Sequence, residues 1–406
     1  MKRLLYISHR LPYPPDKGER VRAYHALRAL APHFRMTLAV PHAPAPAAEA
    51  RAILGELCEE MLIGARPGCP RLRAAAALLA GRSASEACFR DAALAEQIRA
   101  RSTETPFDLV VAYSSSMLQY ARHAAPAPCL ADLVDVDSAK WSAYARITRR
   151  PLRWLYAREA RAVAALEARA MDSCRAVAVV SDAEARLLPS GTARAVVSAN
   201  GVDSEYFDPA AATNPAKSPA QLVFTGQMDY RPNVDGVKWF VRNVWPSLRQ
   251  RHPQLSFAIV GRSPVAAVRR LARHSGVRVT GAVPDVRPWL KGAAVAVCPL
   301  TIAPGVQNKI LEAMAMELPV VAAPPAADGL PAPLRQLIRV AESPAQWCDA
   351  VCGLLADGAA GLAGQDARRL IVQRHTWTQS LEGFVQLCRE LTGEPAAPEP
   401  GREVTA

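Results

Sequence analysis

The chain has 406 residues, half of them hydrophobic and 21% charged, which is typical of a folded protein of two or three domains rather than a disordered chain. No uninterrupted apolar run approaches the roughly 18 residues that a bilayer-spanning helix needs, and the first residues do not resemble a secretion signal. The sequence therefore argues against an integral membrane or secreted protein and predicts a cytoplasmic location. The net charge is +12, and nine of these charges lie in residues 1–200, so the first half is expected to meet an anionic partner.

The nine cysteines are scattered and contain no C-x-x-C pair, which indicates reduced thiols. Cys348 and Cys352 are four residues apart and could share a helix face, but no further ligands for zinc lie near them in the sequence. We expect no metal and no other cofactor.

The first 200 residues alternate buried strands with helices. A strand at Leu4–Ile7 leads into a loop rich in proline and charge (residues 12–20) and then into a helix that runs to Leu30. Further strands are predicted at Met36–Val40, Phe107–Ala112, Cys129–Val136 and Ala176–Val180, with a helix at Leu152–Ala170. This alternation predicts a Rossmann-like domain over residues 1–200.

The same alternation restarts after a linker at Pro209–Pro219. Strands are predicted at Leu222–Gly226, Phe257–Gly261, Val277–Thr280, Ala294–Cys298 and Pro319–Ala322, with a helix at Val234–Arg251. We expect a second Rossmann-like domain over residues 201–375, a helix at 376–392 that packs back on the first domain, and a disordered tail at 393–406. The fold class is therefore α/β: two doubly wound parallel-sheet domains that face each other across a cleft, with one substrate held by each.

The segment Pro304–Val321 carries the clearest chemical signal. It follows a predicted strand and is expected to begin a helix at Gly305, whose free N–H groups and positive dipole end suit a diphosphate. Lys309 and Glu312 share a face of this helix, so an ammonium can neutralise phosphate while a carboxylate accepts both hydroxyl hydrogens of a ribose. The alternative is a surface ion pair worth roughly 0.2–0.5 kcal/mol.

This segment, "GVQNKILEAMAMELPVVA", closely resembles the nucleotide-sugar segment of family 4 glycosyltransferases, which have the GT-B fold. Residues 198–207 resemble that family's inter-domain "NGVD…F" signature. Residues 222–226, 232–236, 259–261 and 279–283 also resemble the family, in the same order. Within the family, "YISHRLPYPPDKGERVRAYH", "DLVDVDSAKW" and "GQMDYRPNVDG" look most like the sugar transferases of exosortase/PEP-CTERM exopolysaccharide systems.

The resemblance implies a nucleotide-diphosphate-sugar donor in the second domain and a lipid-linked glycan acceptor in the first. It implies transfer with retention of configuration and without a metal. Glu312 would bind the ribose, Lys309 the diphosphate and the backbone at Val283 the base. The other expected donor-binding residues are Gly18, Gly226, Arg262, Gly305, Val306 and Gln307. Pro304 occupies the position of a glutamate that usually contacts the donor sugar in this family, which leaves the identity of the sugar open.

The first domain supplies further candidates for catalysis. Gly18 would let the backbone approach an anion, and Arg20 would stabilise the departing diphosphate, unless they merely turn the chain and face solvent. His9, at the end of the first strand, would bond a sugar hydroxyl or transfer a proton, or else would tie down a loop. Asp135 and Asp137 are interpreted as acceptor-side groups, together with Ser138, Lys140 and Trp141. The alternatives for this D-x-D pattern are a metal-dependent transferase and simple loop hydrogen bonding.

The segment Arg146–Arg161 interleaves six arginines with tryptophan, tyrosine and leucine, a composition suited to an anionic membrane surface or to a solvated helix. It predicts peripheral association with the inner face of the plasma membrane. No nucleic-acid motif accompanies the charge, so no nucleic-acid partner is expected. Two rival functions remain open: a non-catalytic GT-B scaffold of a polysaccharide assembly system, and a nucleotide-sugar epimerase.

Overall fold

The computed structural model describes residues 1–16, 18–41, 47–65, 70–212, 221–356 and 362–393. These residues form two compact α/β units. The first unit contains Met1–Val180, Glu184–Ser198 and the described residues from Leu381 onward, and the second contains Ser181–Ala183 and Ala199–Ser380. Most of the predicted linker Pro209–Pro219, and the predicted tail from residue 394, lie outside the described residues.

The sheet of the first unit has seven strands, and every pairing in it is parallel. The strands are β1 (Lys2–Ser8), β2 (Phe34–Val40), β3 (Glu60–Ile63), β4 (Leu109–Tyr113), β5 (Cys129–Val134), β6 (Ala176–Val179) and β7 (Arg194–Val197). Their order across the sheet is β3-β2-β1-β4-β5-β6-β7. The order reverses between β1 and β4, which is the switch point where ligands bind in open α/β sheets.

Helices cover this sheet and connect its strands. They are α1 (Gly18–Leu30), α2 (Ala48–Leu57), α3 (Pro70–Leu79), α4 (Ala84–Cys88), α5 (Ala92–Glu104), α6 (Leu118–Ala121), α7 (Asp137–Ile147), α8 (Leu152–Ser173) and α9 (Asp182–Ala185), with 3-10 turns at Ser115–Met117 and Arg122–Ala124. The apolar residues of β1 and β4 are buried because helices cover both faces of a parallel sheet.

A buried ion pair fixes the centre of the first unit. Arg22 of α1 donates to both carboxylate oxygens of Asp132 at 3.0 and 3.1 Å and to the Ser198 carbonyl at 2.9 Å. Both partners of this pair are fully buried, and the Arg22 guanidinium carbon lies 6.0 Å from the Phe384 ring centroid. The arrangement ties α1, β5 and the C-terminal helix into one unit.

The sheet of the second unit has six parallel strands. They are β8 (Gln221–Thr225), β9 (Ser256–Val260), β10 (Val277–Gly281), β11 (Val295–Cys298), β12 (Val320–Ala322) and β13 (Arg339–Val340), in the order β10-β9-β8-β11-β12-β13. The order reverses between β8 and β11, so the expected ligand-binding edge lies beyond the ends of these two strands.

The remaining helices follow in chain order. They are α10 (Arg231–Asn243), α11 (Trp245–Arg251), α12 (Ala266–Arg269), α13 (Arg287–Lys291), α14 (Asn308–Ala315), α15 (Pro324–Ala327), α16 (Ala332–Arg335), α17 (Pro344–Ala356), α18 (Leu362–Arg374) and α19 (Trp377–Leu391), with a 3-10 turn at Arg270–Arg273. From Leu381 onward, α19 belongs to the first unit.

Two helix predictions are wrong in detail. The helix expected at Val234–Arg251 is two helices, because Pro246 lacks an N–H and breaks the hydrogen-bond ladder at Val244. The helix expected from Gly305 begins at Asn308 instead. Gly305 has a φ of +63°, a left-handed conformation that a right-handed helix does not contain.

Candidate functional site

The ends of β8 and β9 form a close backbone contact at the edge of the second sheet. Gly226 follows β8 with a φ of +152°, and Gly261 follows β9 with a φ of +154°. A Cβ on Gly261 would lie 1.6 Å from the Gly226 carbonyl oxygen, so only glycine fits there. A Cβ on Gly226 would lie 2.7 Å from the Asn233 amide nitrogen and 3.1 Å from Lys309 Nζ. Gly226 therefore keeps space open beside two polar side chains.

Lys309 of α14 points to this same edge of the sheet. Its Nζ donates to Asn233 Oδ1 at 2.6 Å and lies 4.4 Å from the centroid of the Phe224 ring. Asn233 is oriented in turn by a 2.9 Å bond from its amide to the Gln227 carbonyl. Burial lowers the pKa of Lys309, and the nearby carboxyl of Glu312 opposes this effect. A partly desolvated ammonium group therefore lies at the switch point of the second sheet.

Glu312 lies one helical turn beyond Lys309. Burial raises the pKa of its carboxyl to about 7, and the charge of Lys309 only partly offsets that rise. Among the described residues no donor forms a hydrogen bond with this half-buried carboxylate. A partly desolvated acceptor without a protein donor is costly, and a ligand that carries hydroxyl groups would satisfy it.

Sequence reasoning gave no role to Asn233, the residue that holds Lys309. Its position in the sequence could have suggested a role, because it lies in the "RPNVDG" stretch, which resembles family 4 glycosyltransferases. Asn233 is the third residue of α10, and it is buried there. A second amide pair joins Asn200 to Asn308, with a 3.0 Å bond from Asn200 Nδ2 to Asn308 Oδ1, and so connects the "NGVD" stretch to the start of α14.

The other predicted donor-binding residues lie around the same edge. Arg262 follows Gly261 directly, and Val283 follows β10 by two residues. Gly305 and Val306 are buried in the loop before α14. The Gln307 amide donates to the Pro304 carbonyl at 2.9 Å, so it shapes the loop that precedes α14.

In the first unit, His9 lies at the end of β1, beside the switch point of that sheet. Its ring stacks on Tyr113 at 5.6 Å and meets Phe89 edge-on at 5.4 Å. Nε2 is 3.5 Å from Glu19, while Nδ1 is buried and has no hydrogen-bond partner in the described chain. The two aromatic rings fix the plane of the imidazole.

Arg20 and Gly18 both lie in the first turn of α1. Arg20 is 25% exposed and pairs with Asp16 at 3.1 Å, so it is not simply solvated. A Cβ on Gly18 would meet nothing within 4 Å, so the internal geometry does not require glycine at this position. The predicted roles of both residues toward phosphate remain predictions.

Asp135 and Asp137 lie just after β5, within a group of carboxylates. Burial, and next the charge of Glu184, raise the pKa of half-buried Asp135 to about 7. Asp137 forms an ion pair with Lys140. Ser138 donates its N–H to Glu167 at 3.0 Å, and burial raises the pKa of Glu167 to about 7 as well. Of the predicted acceptor-side residues, Ser138 and Lys140 are thus engaged internally.

The described residues contain no group of three or more His, Cys, Asp or Glu side chains arranged to hold a metal ion. They also contain no helix that combines the length and the apolar character required to cross a bilayer.

Residues 219–357, which include the whole sheet of the second unit, match the family model described as glycosyl transferases group 1. No curated protein sequence matches the chain.

Solved structures match almost the whole chain. Sucrose-phosphate synthase from Thermosynechococcus elongatus is 16% identical, with a TM-score of 0.72 over 97% of this chain and 100% of its own. HepE from Anabaena, solved with UDP, is 14% identical, with a TM-score of 0.64 over 96% and 100%. WaaG, a glycosyltransferase involved in lipopolysaccharide biosynthesis, is 16% identical, with a TM-score of 0.66 over 95% and 99%. At these identities the likeness shows the fold, and the two parallel-sheet α/β domains are those of GT-B glycosyltransferases.

Proposed function

We propose that this protein is a glycosyltransferase that binds a nucleotide-diphosphate sugar at the β8/β11 edge of its second unit. One observation carries the proposal: the Lys309 ammonium and the Glu312 carboxylate lie one turn apart on α14, both partly desolvated, at the switch point of the sheet. Such a pair matches the two ends of the ligand, since phosphate is anionic and ribose presents two hydroxyl donors. The match of this segment to group 1 glycosyl transferases supports the same assignment.

The binding steps follow from the contacts in the free protein. Lys309 is held by a neutral amide, Asn233, and phosphate oxygens would replace that partner with a charge-assisted bond. Glu312 would accept hydrogen bonds from the two ribose hydroxyls. The space that Gly226 leaves beside Lys309 would admit the diphosphate, and the backbone near Val283 would contact the base.

In the transfer step, the bond between the sugar's anomeric carbon and the diphosphate oxygen breaks, and a bond to an acceptor hydroxyl oxygen forms. The acceptor hydroxyl gives up its proton to solvent, and the nucleoside diphosphate leaves with the additional negative charge. Lys309 and the first amides of α14 would stabilise that charge. We propose retention of configuration and transfer without a metal, as in the family 4 enzymes that the sequence resembles.

For the first unit we propose a role in acceptor binding, with Arg20, His9, Asp135 and Asp137 as the groups involved. The proposed acceptor is a lipid-linked glycan of exopolysaccharide synthesis, in an exosortase/PEP-CTERM type of system, at the cytoplasmic face. The sequence resemblance supports this finer assignment, and WaaG, which has the same fold, is involved in lipopolysaccharide biosynthesis.

Calorimetry with UDP, GDP and UDP-glucose tests the donor site; HepE has been solved with UDP and with UDP-glucose. Glu312→Ala should weaken binding of whichever nucleotide binds by at least about tenfold, as expected when bonds to a charged group are lost. The matched control Glu342→Ala removes an exposed carboxylate of the same unit and should leave affinity unchanged. Equal affinity in the two variants would refute the site.

Pro304, in place of the family's usual glutamate, favours one alternative, a scaffold that keeps the fold without turnover. Donor hydrolysis or transfer with a panel of nucleotide sugars distinguishes the two, because a scaffold would bind without releasing nucleoside diphosphate. Repeating the assay in EDTA tests the metal-dependent alternative centred on Asp135 and Asp137, which would lose activity.

A further inference from the structure

Helix α3 exposes an apolar face to solvent. Leu72, Ala75, Ala76 and Leu79 follow the spacing of one helix face, and all four are exposed. The two leucines are 71% and 82% exposed. A surface helix normally turns its polar side outward. An exposed apolar face of this kind is typical of a surface that binds a partner.

A second exposed apolar group lies where α7 ends and α8 begins. Ile147, Leu152 and Trp154 are between 47% and 57% exposed. Together with the leucines of α3 they account for five of the twelve exposed large hydrophobic side chains in the described residues. Two short segments of the first unit therefore contribute five of these twelve side chains.

Arg158 joins these two segments into one surface. Its guanidinium donates to the carbonyl of Leu78 and, at 3.1 Å, to that of Leu79. The same guanidinium carbon lies 5.4 Å from the centroid of the Trp154 ring. We call this surface the interfacial patch: the exposed face of α3 and the junction of α7 and α8.

The surface charge at the junction of α7 and α8 is mainly positive. Residues 141–166 contain six arginines and a single acidic residue, Glu159. Glu159 is buried, and its carboxylate accepts bonds from Ser83 Oγ at 2.8 Å and from the N–H groups of Ala84 and Ser85 at 2.7 and 2.9 Å. The one carboxylate of this segment is thus used to cap α4 and does not offset the arginines at the surface.

A pocket of about 160 Å³ adjoins the patch through Ala76 of α3. Three arginines line it, Arg73, Arg82 and Arg90, together with Glu86 and Ser83. Arg82 and Arg90 are exposed, and within the described chain neither guanidinium forms a hydrogen bond or an ion pair, although the Arg90 carbonyl accepts a bond from Arg73 at 2.6 Å. The pocket therefore offers cationic groups to an anion at the border of an apolar face.

We propose that the interfacial patch binds an anionic lipid bilayer and that the arginine pocket receives the phosphate of a lipid headgroup. Apolar side chains that insert below the headgroups, with arginines at headgroup level, are the features of a surface that lies in the membrane interface. Each basic residue near an anionic leaflet adds about 1 kcal/mol. An acidic protein partner would place its carboxylates opposite individual arginines. Nothing in this patch selects such fixed positions over a continuous anionic surface. The proposal is independent of the donor site.

Co-sedimentation of the full chain with vesicles tests it. We expect binding to phosphatidylcholine mixed with phosphatidylglycerol, little binding to phosphatidylcholine alone, and weakening with salt. Arg149→Glu with Arg153→Glu should reduce vesicle binding at least about tenfold. The charge-matched control, Arg270→Glu with Arg273→Glu, changes exposed arginines of the second unit and should bind as the native chain does.

Separate arms test the apolar anchors and the pocket. Leu79→Ser with Trp154→Ser should lower vesicle binding, whereas Leu187→Ser, which removes another exposed leucine of the first unit, should not. Arg82→Ala with Arg90→Ala should reduce the preference for phosphatidylglycerol.

Melting temperatures and calorimetry with UDP-glucose should stay unchanged in all variants. Failure to bind anionic vesicles, or equal losses in the controls, would overturn the proposal. Competition by inorganic phosphate at similar strength would show a soluble-phosphate site instead of a lipid site.

Discussion

The ionisation of Glu312 is expected to control how tightly the protein binds a nucleotide sugar between pH 6 and 8. Burial places the pKa of this carboxyl at about 7 in the free protein. Only the ionised carboxylate accepts hydrogen bonds from both ribose hydroxyls, because the protonated form carries a donor of its own. Affinity should therefore rise as the pH passes through the pKa.

The size of the effect follows from that value. With a pKa of about 7, the ionised fraction is roughly one tenth at pH 6 and roughly nine tenths at pH 8. The dissociation constant should fall about tenfold over this interval, which corresponds to about 1.4 kcal/mol. Deprotonation of Lys309 has the opposite effect on affinity. Because burial lowers its pKa, it loses its charge at a lower pH than a solvated lysine, and affinity should decline again on the alkaline side.

Calorimetry with UDP-glucose is the suitable assay, since the diphosphate of a nucleotide sugar has no titrating group in this range. Glu312→Gln keeps the shape of the side chain and removes the titration, so its weaker affinity should not change between pH 6 and 8. A native affinity that is flat over the same range, or a Gln variant with the native slope, would refute the reasoning.

Three further outcomes are expected. Glu312→Gln should raise the melting temperature at pH 8 but not at pH 4. A carboxyl whose pKa is raised by folding destabilises the folded state only at a pH above the pKa that it has in the unfolded chain. An equal effect at both pH values would contradict this. Gly226→Ala should weaken UDP-glucose binding more than tenfold, because the new methyl group displaces Asn233 and crowds Lys309; the control Gly383→Ala, where a Cβ meets nothing within 4 Å, should bind normally. Asp132→Ala should cost about 3–5 kcal/mol in urea unfolding by leaving Arg22 buried without its carboxylate, whereas Glu59→Ala, which breaks an exposed pair, should cost under about 1 kcal/mol.

The central strands of both sheets could be predicted because parallel strands buried on both faces read as short apolar runs bounded by turn residues. Three short strands were missed: β3, β7 and β13. Each lies at the edge of its sheet and has at most four residues, and β7 and β13 are largely exposed, so any apolar run in them is too short to indicate a strand.

The site could be predicted only in part. The spacing of Lys309 and Glu312 places both on one helix face, and that is visible in the sequence. The bond between Lys309 and Asn233 joins residues 76 positions apart and depends on how β8, α10 and α14 meet. The carboxylates of Glu167 and Glu184 near Asp135 were missed for the same reason, since they reach the end of β5 from other elements.

The exposed face of α3 shows another limit of sequence patterns. An alanine- and leucine-rich helix reads as a buried one, and its sequence does not specify which face meets the sheet. Only the packing shows that Ala77 is buried while Leu72 and Leu79 face outward.

The central claim is that Glu312 and Lys309 together hold the ribose and diphosphate of an activated sugar. A crystal structure of the protein with UDP-glucose bound tests it most directly. We expect both ribose hydroxyls within hydrogen-bond distance of the Glu312 carboxylate, and the Lys309 ammonium moved from Asn233 to a phosphate oxygen. A nucleotide seated elsewhere, with Glu312 free of the ribose and Lys309 still bonded to Asn233, would contradict the claim.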